Sequence, residues 1–282
     1  MLGIIGGSGL YSLEGLQIDR ERTLMTPFGA PSGAISCGEY EGQQIAFLSR
    51  HGAGHRLLPH EINYRANIYA LKALGAERII SFSAAGSLRQ QIKPGDLALV
   101  EQYFDHTRGR RAQSFFGQGV AAHVSTANPV CAALNGDIQR AAAAAGQPIH
   151  SNNTYACVEG PRLGTRAESF FLRDAASCDL VGMTNIPEAF LAREAQIAYS
   201  SVCLITDYDC WMDDPSQHVS VDKFFEVYSD TLARAISVLK PLVASPFTAT
   251  STHIRQALKN SVLTPRHQLT AVEQHWLEVL ER

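Results

Sequence analysis

No Cys-x-x-Cys pair occurs among the six cysteines, Cys37, Cys131, Cys157, Cys178, Cys203 and Cys210, and several of them sit in apolar runs. That spacing argues against zinc ribbons and disulfide frameworks and for reduced thiols in a cytoplasmic setting. Charge is sparse as well. With 18% charged residues, a formal net charge of -3 and a pI near 6.4, the chain has no global basic face, so nucleic acid and anionic membranes are poor partners. No uninterrupted apolar stretch is long enough to cross a bilayer, and the opening MLGIIGGSGLY is too short and glycine-broken for a signal-peptide core, so export is not expected. Gly6-Gly7-Ser8-Gly9 follows a first strand but lacks the G-x-G-x-x-G spacing of a dinucleotide site. Internal repeats and separating linkers are missing too. What remains is a chain of 282 residues, 45% of them hydrophobic, able to bury the core of one α/β domain that handles small molecules.

The apolar runs that read as strands share a habit of stopping at polar or glycine-rich ends. Leu2–Ile5 runs into the glycine turn, and Ile45–Leu48 ends at Ser49-Arg50-His51-Gly52. Arg78–Phe82 ends at Ser83-Ala84-Ala85-Gly86-Ser87, and Leu180–Met183 ends at Thr184-Asn185. Ligands of open α/β sheets bind beyond the carboxyl ends of strands, so this repetition predicts one shared pocket. Arg50 offers a planar fork for an oxyanion, although a solvated loop explains it equally well. Helices are predicted from His60 to Gly75, from Asn128 to Gly146, over Arg166–Arg173, over Pro187–Glu194 and from Val221 to about Leu239. Asp105–Gln118 reads as a polar loop with a local basic cluster. Residues 241–282 hold a Ser/Thr-rich connector, a helix near His253–Lys259 and a final amphipathic helix with Val272, Trp276, Val279 and Leu280 on one side.

The stretch Ser201–Trp211, SVCLITDYDCW, carries the sharpest chemical signal: a buried-looking strand that ends in two carboxylates. Persisting strand geometry would point Asp207 and Asp209 the same way, with Tyr208 opposite. Three readings stand: acids that merely cap a turn, oxygen ligands of a divalent cation in a metal-dependent transferase, or a carboxylate pair for acid–base work.

GIIGGSGLY, LSRHG, HEINYRANIYALKALG, AAGSL, PGDLALVEQYFDHT, EGPR, RAESFFLR, GMTNIPEAFLAREA and TDYDCW together resemble the 5'-methylthioadenosine phosphorylases, of the wider purine nucleoside phosphorylase family. The likeness runs from Gly3 to Leu239, with an echo at LKNSVLTPRH (Leu258–His267). It implies a single α/β domain, a mixed twisted central sheet flanked by helices, over residues 1–240. Residues 241–282 would be a helical tail packed on the same domain or on a neighbouring subunit. The implied activity is phosphorolysis of 5'-methylthioadenosine to adenine and 5-methylthioribose 1-phosphate, with inorganic phosphate as co-substrate and neither cofactor nor metal; a broader purine nucleoside or methylthioinosine activity is the alternative, and a non-enzymatic nucleoside-binding module a different class. By resemblance Ser8, Arg50, His51, Ser83, the Ala84 amide and Thr184 cradle phosphate. Met183 packs on ribose, and Leu163, Asp207, Tyr208 and Asp209 belong to the base side. Val221, Phe224 and Phe225 wall the 5'-methylthio pocket, which His123 and Leu263 of a neighbour would complete in a homotrimer. Leu163 stands where relatives often carry phenylalanine, Gly164 replaces a hydroxyl residue, and Phe224 and Phe225 are bulkier than the expected small aliphatics. Phosphorolysis expels the purine with negative charge, so a positioned acid is worth roughly 10²–10⁴ in rate. Two close carboxylates in a desolvated pocket would raise one pKa, making Asp207 the donor and leaving Asp209 ionised to accept from the adenine 6-amino group.

Overall fold

The computed structural model describes residues 1–7, 17–214 and 221–282, the side chains of residues 221–225 excepted. Its strands are β1 (Leu2–Gly6), β2 (Gln17–Arg22), β3 (Ile35–Tyr40), β4 (Gln43–Ser49), β5 (Arg78–Ser87), β6 (Leu97–His106), β7 (Ile149–Val158), β8 (Leu180–Gly182) and β9 (Ala198–Asp207). The helices are α1 (Tyr64–Ala73), α2 (Ala132–Ala144), α3 (Arg166–Phe170), α4 (Asn185–Glu194), α5 (Val221–Val243), α6 (Thr252–Arg255) and α7 (Ala271–Glu281). One mixed sheet runs β2-β3-β4-β1-β5-β8-β7-β6-β9, and β9 returns to pair with β5. The pairings β5–β8, β8–β7, β7–β6, β6–β9 and β9–β5 therefore close a five-stranded ring, with β1, β4, β3 and β2 continuing from one side of β5. β1, β4, β5 and β9 run parallel, which gathers their carboxyl ends on one side. Two apolar layers cover the two faces. One joins α1, α4 and α7 to the sheet through Ile68, Leu191, Tyr199 and Leu280, and the other joins α2 and α5 through Leu134, Ile138, Val202 and Leu239.

Periodicity found most of the elements, missed β2, whose QIDRER is polar nearly throughout, and β3, whose short ISCGEY is broken by Gly38, and misplaced several ends. The first helix begins at Tyr64 rather than His60, because the Asn63 side chain accepts from the Ala66 amide and caps it there. α2 begins at Ala132, not at Asn128: the Cys131 amide donates to Tyr199 O of β9 at 2.8 Å, which fixes where the chain turns into the helix. β5 and β6 outrun their apolar cores, so Ser83–Ser87 and Asp105-His106 are strand rather than loop. The Arg166–Arg173 helix changes to π geometry at Phe171, and the helix near His253 is a single turn, Thr252–Arg255. In α7, capped by Thr270 and Glu273, the inward face carries Trp276, Leu277, Val279 and Leu280, while Val272 is 65% exposed. Trp276 meets Phe28 edge-on at 5.6 Å, and Lys72 Nζ donates to the Arg282 carbonyl at 2.9 Å, contacts that join α7 to α1 and to the segment before β3.

Candidate active site

The strand ends converge on a cavity of about 950 Å³ lined by Gly7, Arg50, His51, Ser83–Gly86, Val158–Gly164, Glu168, Gly182–Thr184, Thr206, Asp207, Asp209 and, from α5, Tyr228, Ser229 and Leu232. Glycine makes the close approaches possible. A Cβ on Gly182 would lie 2.0 Å from the Tyr155 hydroxyl, and one on Gly86 would lie 2.7 Å from Asp207 Oδ1.

Arg50 is 2% exposed. Its Nε donates to Glu188 Oε2 at 2.7 Å, and its Nη2 donates to Glu188 Oε1 at 2.8 Å and to Ser81 Oγ at 2.5 Å. Nη1 donates to Phe82 O at 2.9 Å. These contacts use four of its five N–H groups, so the planar fork expected to grip an oxyanion is held by Glu188, and Arg50 faces the cavity with one remaining Nη1 hydrogen among the described residues. Burial is the strongest influence and opposes its charge, but Glu188, Tyr199 and Tyr64 together outweigh it and its pKa is raised. Tyr199 also donates to Glu188, at 2.8 Å. His51 Nδ1 stands 2.8 Å from Leu57 O, which places the proton on that nitrogen and leaves Nε2 an acceptor in the neutral ring. Burial, aided by Arg50, pushes the His51 pKa down to about 4. Ser83 Oγ donates to Asn185 Oδ1 at 2.7 Å and lies 3.3 Å from Thr184 Oγ1.

Asp207 and Asp209 share the cavity, but strand alternation does not bring them there. Register shifts between β5 and β9 so that Asp207, not Thr206, pairs with Gly86. Asp209 sits past the strand in a left-handed turn, φ 51°, and its amide donates to Asp207 Oδ1 at 2.8 Å. Burial is the main cause that raises the pKa of Asp207, with the neighbouring acid contributing after it, and burial raises Asp209 also. Desolvation, ahead of mutual repulsion, thus lifts both acids. Thr206 Oγ1 lies 2.7 Å from Asp207 Oδ2 and 3.4 Å from Ala85 O, so its hydrogen can turn to the carbonyl when Asp207 carries a proton.

Ala84, Met183 and Leu163 line the cavity; Leu163 is 49% exposed. Tyr208 stands outside the lining, its hydroxyl donating to Gln90 O at 3.2 Å and its ring edge-on to Trp211. His123 and Leu263 are also absent from the cavity lining; they flank the Ala122–Val262 bridge, His123 donating its amide to Ser261 O at 3.0 Å and Leu263 its amide to Ala121 O at 2.8 Å, with Leu263 61% exposed. Ser8 and the side chains of Val221, Phe224 and Phe225 lie outside the described residues. Among the described residues no group of three or more His, Cys, Asp or Glu could hold a metal ion. Sequence reasoning missed Glu188, a lone carboxylate in the apolar run Ile186–Leu191, and that isolation was the available signal, because an acid on a buried helix face needs a cation.

The phosphorylase superfamily model matches residues 1–240. The chain belongs to this superfamily. Among its relatives, the S-methyl-5'-thioadenosine phosphorylase of Geobacter sulfurreducens is 45% identical over 280 residues, covering 99% of this chain and 97% of that one. A crystal structure of a methylthioadenosine phosphorylase from an antarctic soil metagenomic library superimposes with a TM-score of 0.92 at 43% identity, covering 99% of this chain and 98% of the other. The Schistosoma mansoni methylthioadenosine phosphorylase, in complex with adenine, gives a TM-score of 0.86 at 30% identity over 93% of this chain and 99% of that one. The single-domain α/β phosphorylase fold is therefore that of this protein.

Proposed function

We propose that this chain cleaves the N-glycosidic bond of 5'-methylthioadenosine with inorganic phosphate, giving adenine and 5-methylthioribose 1-phosphate. The observation that carries this reading is a single cavity with hydroxyls, backbone and a buried arginine on one wall and two pKa-raised acids on the other. Relatives named for this reaction across 99% of the chain support it. Phosphate would lie against Thr184, Ser83, the Ala84 amide and Arg50, with Ser8 from the glycine turn. As a dianion it cannot accept a hydrogen bond from the Nε2 of neutral His51, so His51 takes part by gaining a proton when phosphate arrives or by accepting from a monoanion. Met183 would pack on ribose. As the C1'–N9 bond breaks, positive charge grows on the sugar beside phosphate and negative charge on the purine, where Asp207 protonates N7. Asp209 would then accept from the 6-amino group; a 6-oxo purine would oppose it with an acceptor and leave buried groups unpaired.

His123 and Leu263, which flank one β-bridge and are absent from the lining of their own cavity, suit a role in a neighbour's pocket, as a homotrimer would require. Six unpaired cysteines suit a reducing compartment such as the cytoplasm, and among the described residues no helix is long and apolar enough to cross a membrane. Assay of adenine release from 5'-methylthioadenosine with and without phosphate, beside adenosine and methylthioinosine, tests the activity. Release should require phosphate and be fastest for 5'-methylthioadenosine. Phosphate-independent release, or faster turnover of methylthioinosine, would overturn the reading.

A further inference from the structure

Arg111 lies in the segment between β6 and α2 that the sequence presents as a polar loop with a basic cluster, yet its side chain is fully buried. It does not line the cavity. Its guanidinium instead collects the backbones of two segments that do. Nη1 donates to Met183 O at 2.7 Å and to Ile186 O at 2.6 Å, bracketing Thr184 and Asn185. Nη2 donates to Glu159 O at 2.9 Å and reaches Val158 O at 3.3 Å, at the carboxyl end of β7. Nε donates to Glu159 Oε1 at 3.1 Å, and the other Glu159 oxygen accepts from the Arg108 amide at 2.7 Å. The loop is pinned at its far side too, where Glu194 accepts from Ser114 Oγ at 2.7 Å and from the Phe115 amide at 2.8 Å.

The backbone between β8 and α4 needs such an anchor. Ile186 has φ -113° and ψ 130° inside the span of α4, so the first carbonyls of that span are not engaged by a regular helical ladder. The Ile186 carbonyl, and that of Met183 just ahead of the span, are satisfied by one Nη1. Lysine has three donors, but they radiate from one point charge on a flexible stem and cannot hold two strand ends in a fixed relation as a planar fork does.

We infer that Arg111 is a positioning residue that sets the Met183–Thr184 turn against the end of β7, and through it the phosphate and ribose side of the cavity. It acts from behind the site and touches no substrate. The inference rests on the phosphorolytic reading above, and it is selective: none of these Arg111 hydrogen bonds reaches Asp207 or Asp209, so the base end should not depend on it.

The test compares wild-type chain with Arg111→Lys and Arg111→Met, alone and combined with Thr184→Ala. Phosphate KM and kcat are measured by turnover, and the dissociation constant of free adenine by calorimetry. Arg111→Lys should raise the phosphate KM by about tenfold while adenine affinity stays within about twofold, and its effect on phosphate should vanish in the Thr184→Ala background, since both changes would remove one arrangement. The lysine variant keeps the charge and most of the packing, so it decides the question even if Arg111→Met fails to fold. Parallel loss of phosphate and adenine affinity, full additivity with Thr184→Ala, or an unchanged phosphate KM in Arg111→Lys would overturn the inference. Failure of the phosphorolytic reading would be seen separately, as wild-type chain that does not require phosphate.

Discussion

The two ends of the cavity are built on opposite plans. At the Arg50 end, polar groups are spent on one another: Glu188 takes the arginine fork and the Tyr199 hydroxyl, and Asn185 takes the Ser83 hydroxyl. At the Asp207 end two acids are desolvated with modest hydrogen bonding, and the rim beside them holds Leu163, half exposed, and Gly164. The first end is rigid and electrically balanced before any anion arrives, which suits a group that must be held in one place. The second stores its chemistry in raised proton affinity, which suits a group that must give a proton away.

Each end can be broken separately. The largest effect belongs to Asp207→Asn, which removes the proposed proton donor with little change of shape. Turnover should fall by roughly 10²–10⁴ while the phosphate KM holds, and steady-state kinetics over phosphate concentration would show whether the two ends are independent; equal loss of both would mean they are not. Glu188→Gln attacks the balanced end. It leaves a buried guanidinium without its carboxylate, so urea unfolding should report a loss on the order of 3–5 kcal/mol, and an unchanged midpoint would show that the pair is not what holds Arg50. The smallest effect is pH-dependent. The folded pKa of His51 is depressed to about 4 from an ordinary 6.5. Above 6.5 the ring is neutral in both states and contributes no pH slope. As pH falls from 6.5 to 4 the unfolded chain takes up a proton that the fold refuses, and stability is lost by at most about 1.4 kcal/mol per pH unit. Thermal unfolding at a series of pH values should show a shallower acid limb for His51→Gln; identical limbs would place the slope elsewhere.

Much of this was legible before any coordinates. Apolar runs that stop at hydroxyls, glycines and acids announced a shared pocket, because strand ends are local and their polarity is written in a few adjacent residues. The pairings that finish the site are not local. Glu188 lies 138 residues from Arg50, and Arg111 reaches Met183 and Ile186 across 72 and 75 residues; no periodicity encodes such distances. The sequence reading was right that Asp207 and Asp209 meet, for the wrong reason: a register shift and a left-handed turn did what pleating was expected to do. Misjudged helix starts have the same origin, since Asn63 and a contact between Cys131 and β9 set them more strongly than propensity does.

The return of β9 to β5 has a consequence for how copies of this protein meet in a crowded solution. A ring has no outer ladder to offer, so among the described residues the sheet ends in one bare flank, β2. Every residue of that flank is exposed, and it reads Gln-Ile-Asp-Arg-Glu-Arg, four charges in six positions. A stray strand seeking to zip onto this sheet would find its only available docking rail fenced with ions that must be stripped of water first, which disfavours fibrous growth.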